Sequence, residues 1–570
     1  MTQIDPVFAA VTAPGTPFEL ADVDGVLQFA NAAPDLNLMI ESARRHGDKT
    51  FLVDFSSSGE ERRLTFEQVF AWRDQLVPLL GIGRGDRVAI CMRNRAEWMV
   101  AYLAVMKAGG VAALLNSRGA PVEIVAMIED VSPSVVLADT RRAELIRQGG
   151  YTGRMLDLTK PFPPEEIERR QAQPQANTDA APQTAKAEDD CAILFTSGTT
   201  GRVKGAVLSH RSLITGLMGA QLSGIMVLHN MAKAYGMSPQ DLMANLPQQA
   251  CLLVYPLFHI SGLGSSFLSP LLAGSKVVIM RRWSGDEAVR LIAQEKVTNF
   301  AAVPTMIWDL VNGAKLQDHD LSCLKNIGSG GQALPINLLD SLRVHCPDIV
   351  LGVGYGMTET SGAFAQALGE DFMRKRASAG RVLPLASVCI EGPDGTILPA
   401  GQSGEILVRS AMVMKGYWNR PEENAKAFTS DGWLRTGDVG YIDEEGYVFI
   451  VDRTKDMVIS GGENIYCAEV ERVLSEFEGV TECAAFGIAD ERLGELLVAV
   501  VGGDARDADA MIEWVAERLA RYKAPGHLIV STEPLPRNHL GKIDKMALRK
   551  AWPQLAAAQV KSGDKIHGYA

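Results

Sequence analysis

Short apolar runs alternate with helix-like stretches along much of this chain, and that alternation limits the folds open to it. From Asp86 the run RVAICM is followed by an amphipathic stretch from Arg95 to Lys107 and then by GVAALLN, the order of a strand, a crossover helix and a second strand. SVVLAD near Val135, KVVIM at Lys276 to Met280, TNFAAVP at Thr298 to Pro304 and DIVLGVGYG ending at Gly356 repeat the theme. Runs without polar alternation suit strands buried on both faces, so the expectation is an α/β fold with a mostly parallel sheet covered by helices. At 570 residues there is room for three or four folding units.

The texture changes twice along the chain. Between Pro161 and Asp190 it becomes rich in Pro, Gln and Ala and poor in large apolar groups, which predicts a solvated linker or surface excursion. After about Gly392 short strand candidates (GEILVRS, GWLRTGDVG, GYVFIVDR) are separated by Gly, Asp and Pro turns, predicting a small β-rich subdomain. A compact α+β tail follows from about Asp456, with an amphipathic stretch Ala468 to Phe477, strands AAFGI and LLVAVVG, and a helix from Asp509 to Arg521. No internal repeat is visible, which excludes solenoids and propellers.

Lys and Arg number 56 against 68 Asp and Glu, a net charge of −12. That balance argues against a sequence-independent grip on nucleic acid, which needs clustered cations to displace phosphate counterions. The first residues, Met1 to Phe29, have neither a basic n-region nor an apolar h-region, so no secretory signal is readable. The most apolar stretch, Met99 to Leu115, is broken by Lys107 and Gly109-Gly110, and no span reads as transmembrane. The eight cysteines are scattered without a CxxC pair, as expected of reduced core thiols in a cytoplasmic protein.

The densest chemical signal is Cys191-Ala-Ile-Leu-Phe running into Thr196-Ser197-Gly198-Thr199-Thr200-Gly201-Arg202-Val203-Lys204-Gly205. An apolar strand here feeds a loop of glycines, hydroxyls and one lysine. Glycines let backbone N–H groups curl around an anion, hydroxyls add donors and Lys204 adds charge, so the loop suits polyphosphate; a plain Gly-rich turn is the competing reading. The spacing is not that of a Walker A loop.

With this loop the chain resembles the adenylate-forming enzymes, the AMP-forming acyl-CoA synthetases in particular. Further segments carry the resemblance in order: Tyr255-Pro-Leu-Phe-His259-Ile-Ser-Gly, Gly328 to Pro335, Tyr355-Gly-Met-Thr-Glu359-Thr, Gly432 to Asp438, Asp452-Arg453-Thr-Lys455-Asp456, Ser460 to Tyr466 and Pro536 to Lys542. It implies a large N-terminal adenylation domain over 1–454, with parallel sheets, helices and a β-barrel-like subdomain at about 360–454. A small mobile α+β domain over 455–570 would follow, hinged at Lys455.

The implied chemistry is activation of a hydrophobic carboxylic acid by ATP to an acyl-adenylate, then transfer to coenzyme A with release of AMP and pyrophosphate. The resemblance assigns catalysis to Lys542, His259, Thr358 and Glu359. It assigns ATP or AMP to Thr196, Ser197, Gly198, Thr199, Thr200, Gly201, Lys204, Gly331, Gln332, Ala333, Gly354, Tyr355, Thr358, Asp438, Arg453 and Lys542. The acyl group would meet His259, Ile260, Met306, Gly330 and Gly356, and coenzyme A would meet Ser460, Gly461 and Gly462. Mg²⁺ falls to Thr196 and Glu359.

Each assignment has a competing local reading: Glu359 as a solvated loop carboxylate, Asp438 as an Asx turn in a hairpin, His259 as a packed core histidine, Lys542 as a turn lysine. The sequence also departs from the family pattern, with Val203 where proline is usual, Val353 where a polar residue is frequent, Gln332-Ala333 for Ala-Pro, and Cys467 for proline at a helix entry. Partners are small molecules (the acid, ATP and CoA), with a homodimer as the assembly to test and no nucleic acid or integral membrane segment. Two rival functions stay open: loading the phosphopantetheine of a carrier protein, and non-catalytic binding of a nucleotide or acyl ligand.

Overall fold

The computed structural model describes residues 6–55, 60–159, 185–197, 203–313, 318–330, 346, 349–453, 457–460, 463–490, 492–537 and 542–561. The chain divides into two compact units, one of Met1–Ala333, Leu342–Val388 and Val408–Leu434, the other chiefly of Cys389–Leu407 and Arg435–Ala570. Most of the segment expected to be a linker, 160–184, lies outside the described residues.

The first unit holds two large sheets where the apolar runs suggested one. A seven-stranded sheet runs in the order Gly416–Tyr417, Val203–Ser209, Asp190–Ser197, Val111–Leu114, Arg87–Cys91, Val135–Ala138, Met155–Asp157. Its last five strands are parallel and its first three antiparallel. A nine-stranded sheet follows the order Arg381–Val382, Gly362–Leu368, Val350–Met357, Asn326–Gly330, Asn299–Ala302, Ala250–Leu253, Lys276–Ile279, Thr50–Phe55, Glu61–Thr65. A strand buried on both faces looks the same in either sheet, so periodicity does not show where one ends.

The Arg95 to Lys107 stretch forms the helix Ala96–Lys107, but it is not amphipathic in place: every residue from Ala96 to Met106 is buried. Helices Leu36–Glu41 and Phe66–Leu80 cover the face that the strands leave open. Its one buried charge, Glu97, is answered by Arg95 and Arg62, as a buried carboxylate must be. Lys107 at its end meets Glu41, which also pairs with Arg44 and with the fully buried Arg73. Burial works to raise the Glu41 carboxyl, yet the surrounding Arg44, Arg73 and Lys107 outweigh it and hold the group at about 2.

A carboxyl held below its unfolded value adds stability that is complete above the ordinary carboxylate range and is lost as pH falls from there toward about 2. Glu41→Gln is therefore expected to flatten part of the fall in urea midpoint between pH 5 and pH 3. It should cost about 2 kcal/mol at neutral pH, because Arg73 loses a charged partner inside the fold. An unchanged midpoint at neutral pH would show that this cluster adds nothing to stability.

One helix, His210–Ala234, has the length and apolarity of a bilayer span, with mean hydropathy 1.3 and 44% of that window buried. The sequence had pointed to Met99–Leu115 as the most apolar stretch and had expected no spanning segment; by length and composition this helix qualifies. Within the fold its stripe of Leu213, Ile214, Leu217, Met218 and Leu222 is core. It packs on helices Pro6–Val11 and Leu36–Glu41 and on strand Gly362–Leu368, so an apolar face is used up inside the unit.

The second unit contains a five-stranded sheet: Glu463–Ile465, Val458–Ser460, Gly494–Gly503 and Val480–Asp490 in order, with His527–Ser531 parallel to Gly494–Gly503. Strand alternation gives it two cores. Ala485, Leu497, Ala499 and Val501 face helices Cys467–Ser475 and Ala508–Arg518. Ala484, Phe486, Val498 and Val500 face helix Lys545–Lys561, where Trp552 meets Phe486 edge-on at 5.7 Å. Most of a four-stranded sheet, Ala386–Glu391, Gly404–Ser410, Leu434–Ile442 and Val448–Arg453, also belongs here. The helix after Tyr466 begins at Cys467, the position where the family resemblance has proline as the common residue. All eight cysteines are free, and burial pushes the Cys91 and Cys251 thiols up to about 12, which makes them inert.

Candidate active site

Two antiparallel strands flank the glycine-rich segment. Strands Asp190–Ser197 and Val203–Ser209 pair with Lys204 opposite Thr196 and Gly205 opposite Phe195. Gly198, Thr199, Thr200 and Gly201 lie between them, outside the described residues, and Ser197 closes the first strand. A buried apolar strand, Cys191 to Phe195, thus fixes where the loop emerges. The Thr196 hydroxyl is 3.5 Å from the carbonyl of Lys204 and 3.5 Å from Glu359 Oε1.

Glu359 reaches that point from the other sheet. Strand Val350–Met357 pairs with Asn326–Gly330, placing Gly354 opposite Gly330 and Val353 opposite Ser329. It then ends in a tight turn, Thr358–Thr360. Thr360, fully buried, locks the turn: its hydroxyl donates to the Gly362 carbonyl at 2.8 Å, lies 3.1 Å from the Met357 carbonyl and accepts from Met357 N–H. Glu359 is only 8% exposed, so it is not the solvated loop carboxylate of the competing reading. Its oxygen Oε1 accepts from the Tyr417 hydroxyl at 2.9 Å, and its backbone carbonyl accepts from Met414 N–H at 2.8 Å. Lys204 pairs with Glu423 and lies 5.1 Å from the centre of the Tyr417 ring.

Two oxygen donors 3.5 Å apart, Thr196 Oγ1 and Glu359 Oε1, fit a magnesium ion, which takes hard oxygens and is usually held by one or two carboxylates together with waters and phosphates. Among the described residues there is no cluster of three or more His, Cys, Asp or Glu that could cage a metal by itself. The donor set suits a cation shared with a polyphosphate.

The acyl candidates flank the same sheet. Strand Ala250–Leu253 leads through a turn to His259, whose N–H donates to Pro256 O at 3.0 Å, and then to Ile260 and a wide helical segment, Ser261–Leu268. The Phe258 and His259 rings lie 4.5 Å apart. Asn94, 8% exposed and unmarked by any motif, clamps this turn: its amide donates to Tyr255 O at 2.9 Å and accepts from Leu257 N–H at 3.0 Å. Burial raises the Tyr255 phenol, whose neighbour is the Gly330 backbone. Met306 is half-buried on helix Pro304–Asn312. Gly331, Gln332 and Ala333 lie outside the described residues.

In the second unit Asp438 lies directly opposite Arg453 in the ladder between Leu434–Ile442 and Val448–Arg453. It is 6% exposed and its N–H donates to the Thr436 hydroxyl, so it is a buried strand residue rather than a surface Asx turn. Lys455, Gly461 and Gly462 lie outside the described residues, and Ser460 ends the strand Val458–Ser460. Lys542 stands in the loop before helix Lys545–Lys561. That loop is pinned at both ends: Leu535 and Leu548 are buried, Asp544 N–H donates to Pro536 O, and Glu482 holds Leu535 N–H and Arg537.

The sequence matches the description AMP-binding enzyme over residues 39–418 and AMP-binding enzyme C-terminal domain over 469–542. It is 33% identical over 499 residues to a long-chain-fatty-acid–CoA ligase, FadD13, of Mycobacterium tuberculosis, a match covering 86% of this chain and 93% of that protein. An indoleacetate–CoA ligase of Aromatoleum aromaticum is 34% identical, with the same coverage. Among solved structures, an o-succinylbenzoate coenzyme A synthetase of Bacillus subtilis in complex with ATP and magnesium ion superposes with a TM-score of 0.72 at 29% identity, covering 91% of this chain and 99% of that one. With two antiparallel strands flanking its glycine-rich segment, its buried Glu359 turn and both family domains present, the chain belongs to the AMP-binding, adenylate-forming enzymes and is an ATP-dependent acid:CoA ligase.

Proposed function

We propose that the end of the first unit's sheets where Thr196, Lys204 and Glu359 converge is the adenylation site, and that its substrate is a hydrophobic carboxylic acid. The approach of Thr196 Oγ1 to Glu359 Oε1, from two different sheets, carries this reading. An acid carboxylate must approach the α-phosphorus of ATP against like charge, so cations and fixed donors have to be in place before reaction. Magnesium held by Thr196 and Glu359 would neutralise phosphate charge there. The new bond joins a carboxylate oxygen to the α-phosphorus, and the bond to the β-phosphate oxygen breaks with its electrons leaving on pyrophosphate.

Lys542 supplies an ammonium to the carboxylate and α-phosphate in this step, Thr358 donates to the phosphate, and Asp438 with Arg453 takes the ribose. In the second step the thiol of coenzyme A bonds to the acyl carbon and AMP leaves, with Ser460, Gly461 and Gly462 serving the thiol and Lys455 the hinge between domains. His259, Ile260, Met306, Gly330 and Gly356 surround the acyl group; small and apolar residues there favour fatty, aromatic or alicyclic acids. A cytoplasmic homodimer belongs to the same reading.

A panel of fatty, aryl and alicyclic acids assayed for AMP release with and without coenzyme A tests it. Release that requires both a hydrophobic acid and coenzyme A is expected. Release with small polar acids only, or release that never depends on coenzyme A, would reject the substrate class or the acceptor respectively.

A further inference from the structure

One side chain touches both charged groups of the adenylation site, and no motif marks it. The Tyr417 hydroxyl donates to Glu359 Oε1 at 2.9 Å, and the face of its ring lies 5.1 Å from the Lys204 ammonium. Lys204 is held in turn by Glu423, six residues further on in helix Pro421–Ala427.

The backbone around Tyr417 is stitched into both sides of the site. Ala206 and Val207, next to Lys204, pair with Tyr417 and Gly416. Lys415 N–H donates to Val207 O, Trp418 N–H to Gly205 O, and Met414 N–H to the carbonyl of Glu359 itself. The Asn424 side chain accepts from Tyr417 N–H at 2.6 Å and donates to Tyr417 O at 3.1 Å. Gly416, at φ +146°, leaves the Asn424 amide the room a side chain would take.

Both side-chain contacts of Glu359 fall on Oε1; among the described residues Oε2 has no hydrogen-bond partner. A neutral donor on Oε1 fixes the plane of the carboxylate and with it the direction in which Oε1 and Oε2 face the cation, the role that outer partners play at metal sites. We propose that Tyr417 is a positioning residue for the magnesium carboxylate: its hydroxyl, braced by the strand that carries Lys204, sets the orientation in which Glu359 meets the cation. This rests on Glu359 being a magnesium ligand.

Tyr417→Phe removes one hydroxyl and keeps the ring beside Lys204. The test measures Mn²⁺ binding by electron paramagnetic resonance in the full chain with a non-hydrolysable ATP analogue, alongside the Mg²⁺ dependence of ATP–pyrophosphate exchange, the KM for the acid and the thermal midpoint. Mn²⁺ binding weakened about tenfold, a matching rise in the Mg²⁺ needed for half-maximal exchange and an unmoved acid KM are expected. The Tyr417→Phe/Glu359→Gln double variant should bind Mn²⁺ no more weakly than Glu359→Gln alone, since the tyrosine acts through the carboxylate. If Glu359→Gln weakens Mn²⁺ but Tyr417→Phe lowers only the thermal midpoint, or if the two losses add, the positioning role is overturned. If Glu359→Gln itself binds Mn²⁺ as the wild type does, the premise falls and the proposal with it.

Discussion

Replacing Lys542 with alanine is expected to cut carboxylate-dependent ATP–pyrophosphate exchange by at least about a hundredfold, while thioester formation from preformed acyl-adenylate stays within about threefold of wild type. The asymmetry follows from where charge builds. Adenylation places negative charge on phosphoryl oxygens beside an anionic carboxylate, and a compact ammonium on a long stem answers both. Thiol attack on a mixed anhydride releases AMP and needs no such cation. The residues on either side of the loop are fixed by other groups, namely buried Leu535 and Leu548, Glu482 and the Asp544-to-Pro536 hydrogen bond, and an unmoved urea midpoint in the variant assigns the loss to the ammonium. Lys542→Arg should restore little, since a planar fork is not a point charge. Equal losses in both half-reactions would reject a role confined to the first.

What the sequence made legible follows from burial and chain proximity. Strands such as Arg87–Cys91 and Val135–Ala138 are buried on both faces and appear as unbroken apolar runs, so their existence could be read directly. The hairpin that carries Thr196 and Lys204 is local, and so are the strand and turn that end in Glu359. The partners were not legible. Tyr417 meets Glu359 across 58 residues of chain, Glu423 meets Lys204 across 219, and Asn94 meets the turn before His259 across 161. None of the three lies in a run whose composition announces chemistry: Gly416-Tyr417 reads as an ordinary strand end and Glu423 as an exposed helix carboxylate. The roles of Tyr417 and Glu423 appear only when a two-residue strand joins the edge of the seven-stranded sheet. The burial of Ala96–Met106 was hidden for the same reason, because the helices that cover it come from earlier in the chain. The linked Thr196 and Glu359 were each visible, but their 3.5 Å approach depends on two sheets whose division the periodicity did not reveal.

Gly356→Ala is expected to lower exchange activity by about a hundredfold and to cost about 1–3 kcal/mol of stability, though it adds one methyl group. A Cβ at this position would lie 2.0 Å from the carbonyl oxygen of Gly362 and 2.6 Å from Ala363 Cα. Both obstacles are backbone, so no side chain can rotate away. The register between Val350–Met357 and Gly362–Leu368 already shifts at Tyr355/Gly356, and the turn Thr358–Thr360 closes that same strand pair. Forcing the strands apart must move the turn, and with it Thr358 and the Glu359 carboxylate, whose 2.9 Å bond to Tyr417 has little slack. Gly224→Ala, in the helix His210–Ala234 with nothing within 4 Å of the added carbon, provides the contrast and should gain about 0.5–1 kcal/mol from helix propensity. Urea unfolding and pyrophosphate exchange on both variants decide the matter. If Gly356→Ala retains wild-type exchange and midpoint, the two strands do not approach as described, and Glu359 owes its placement to the Met414 and Tyr417 contacts alone.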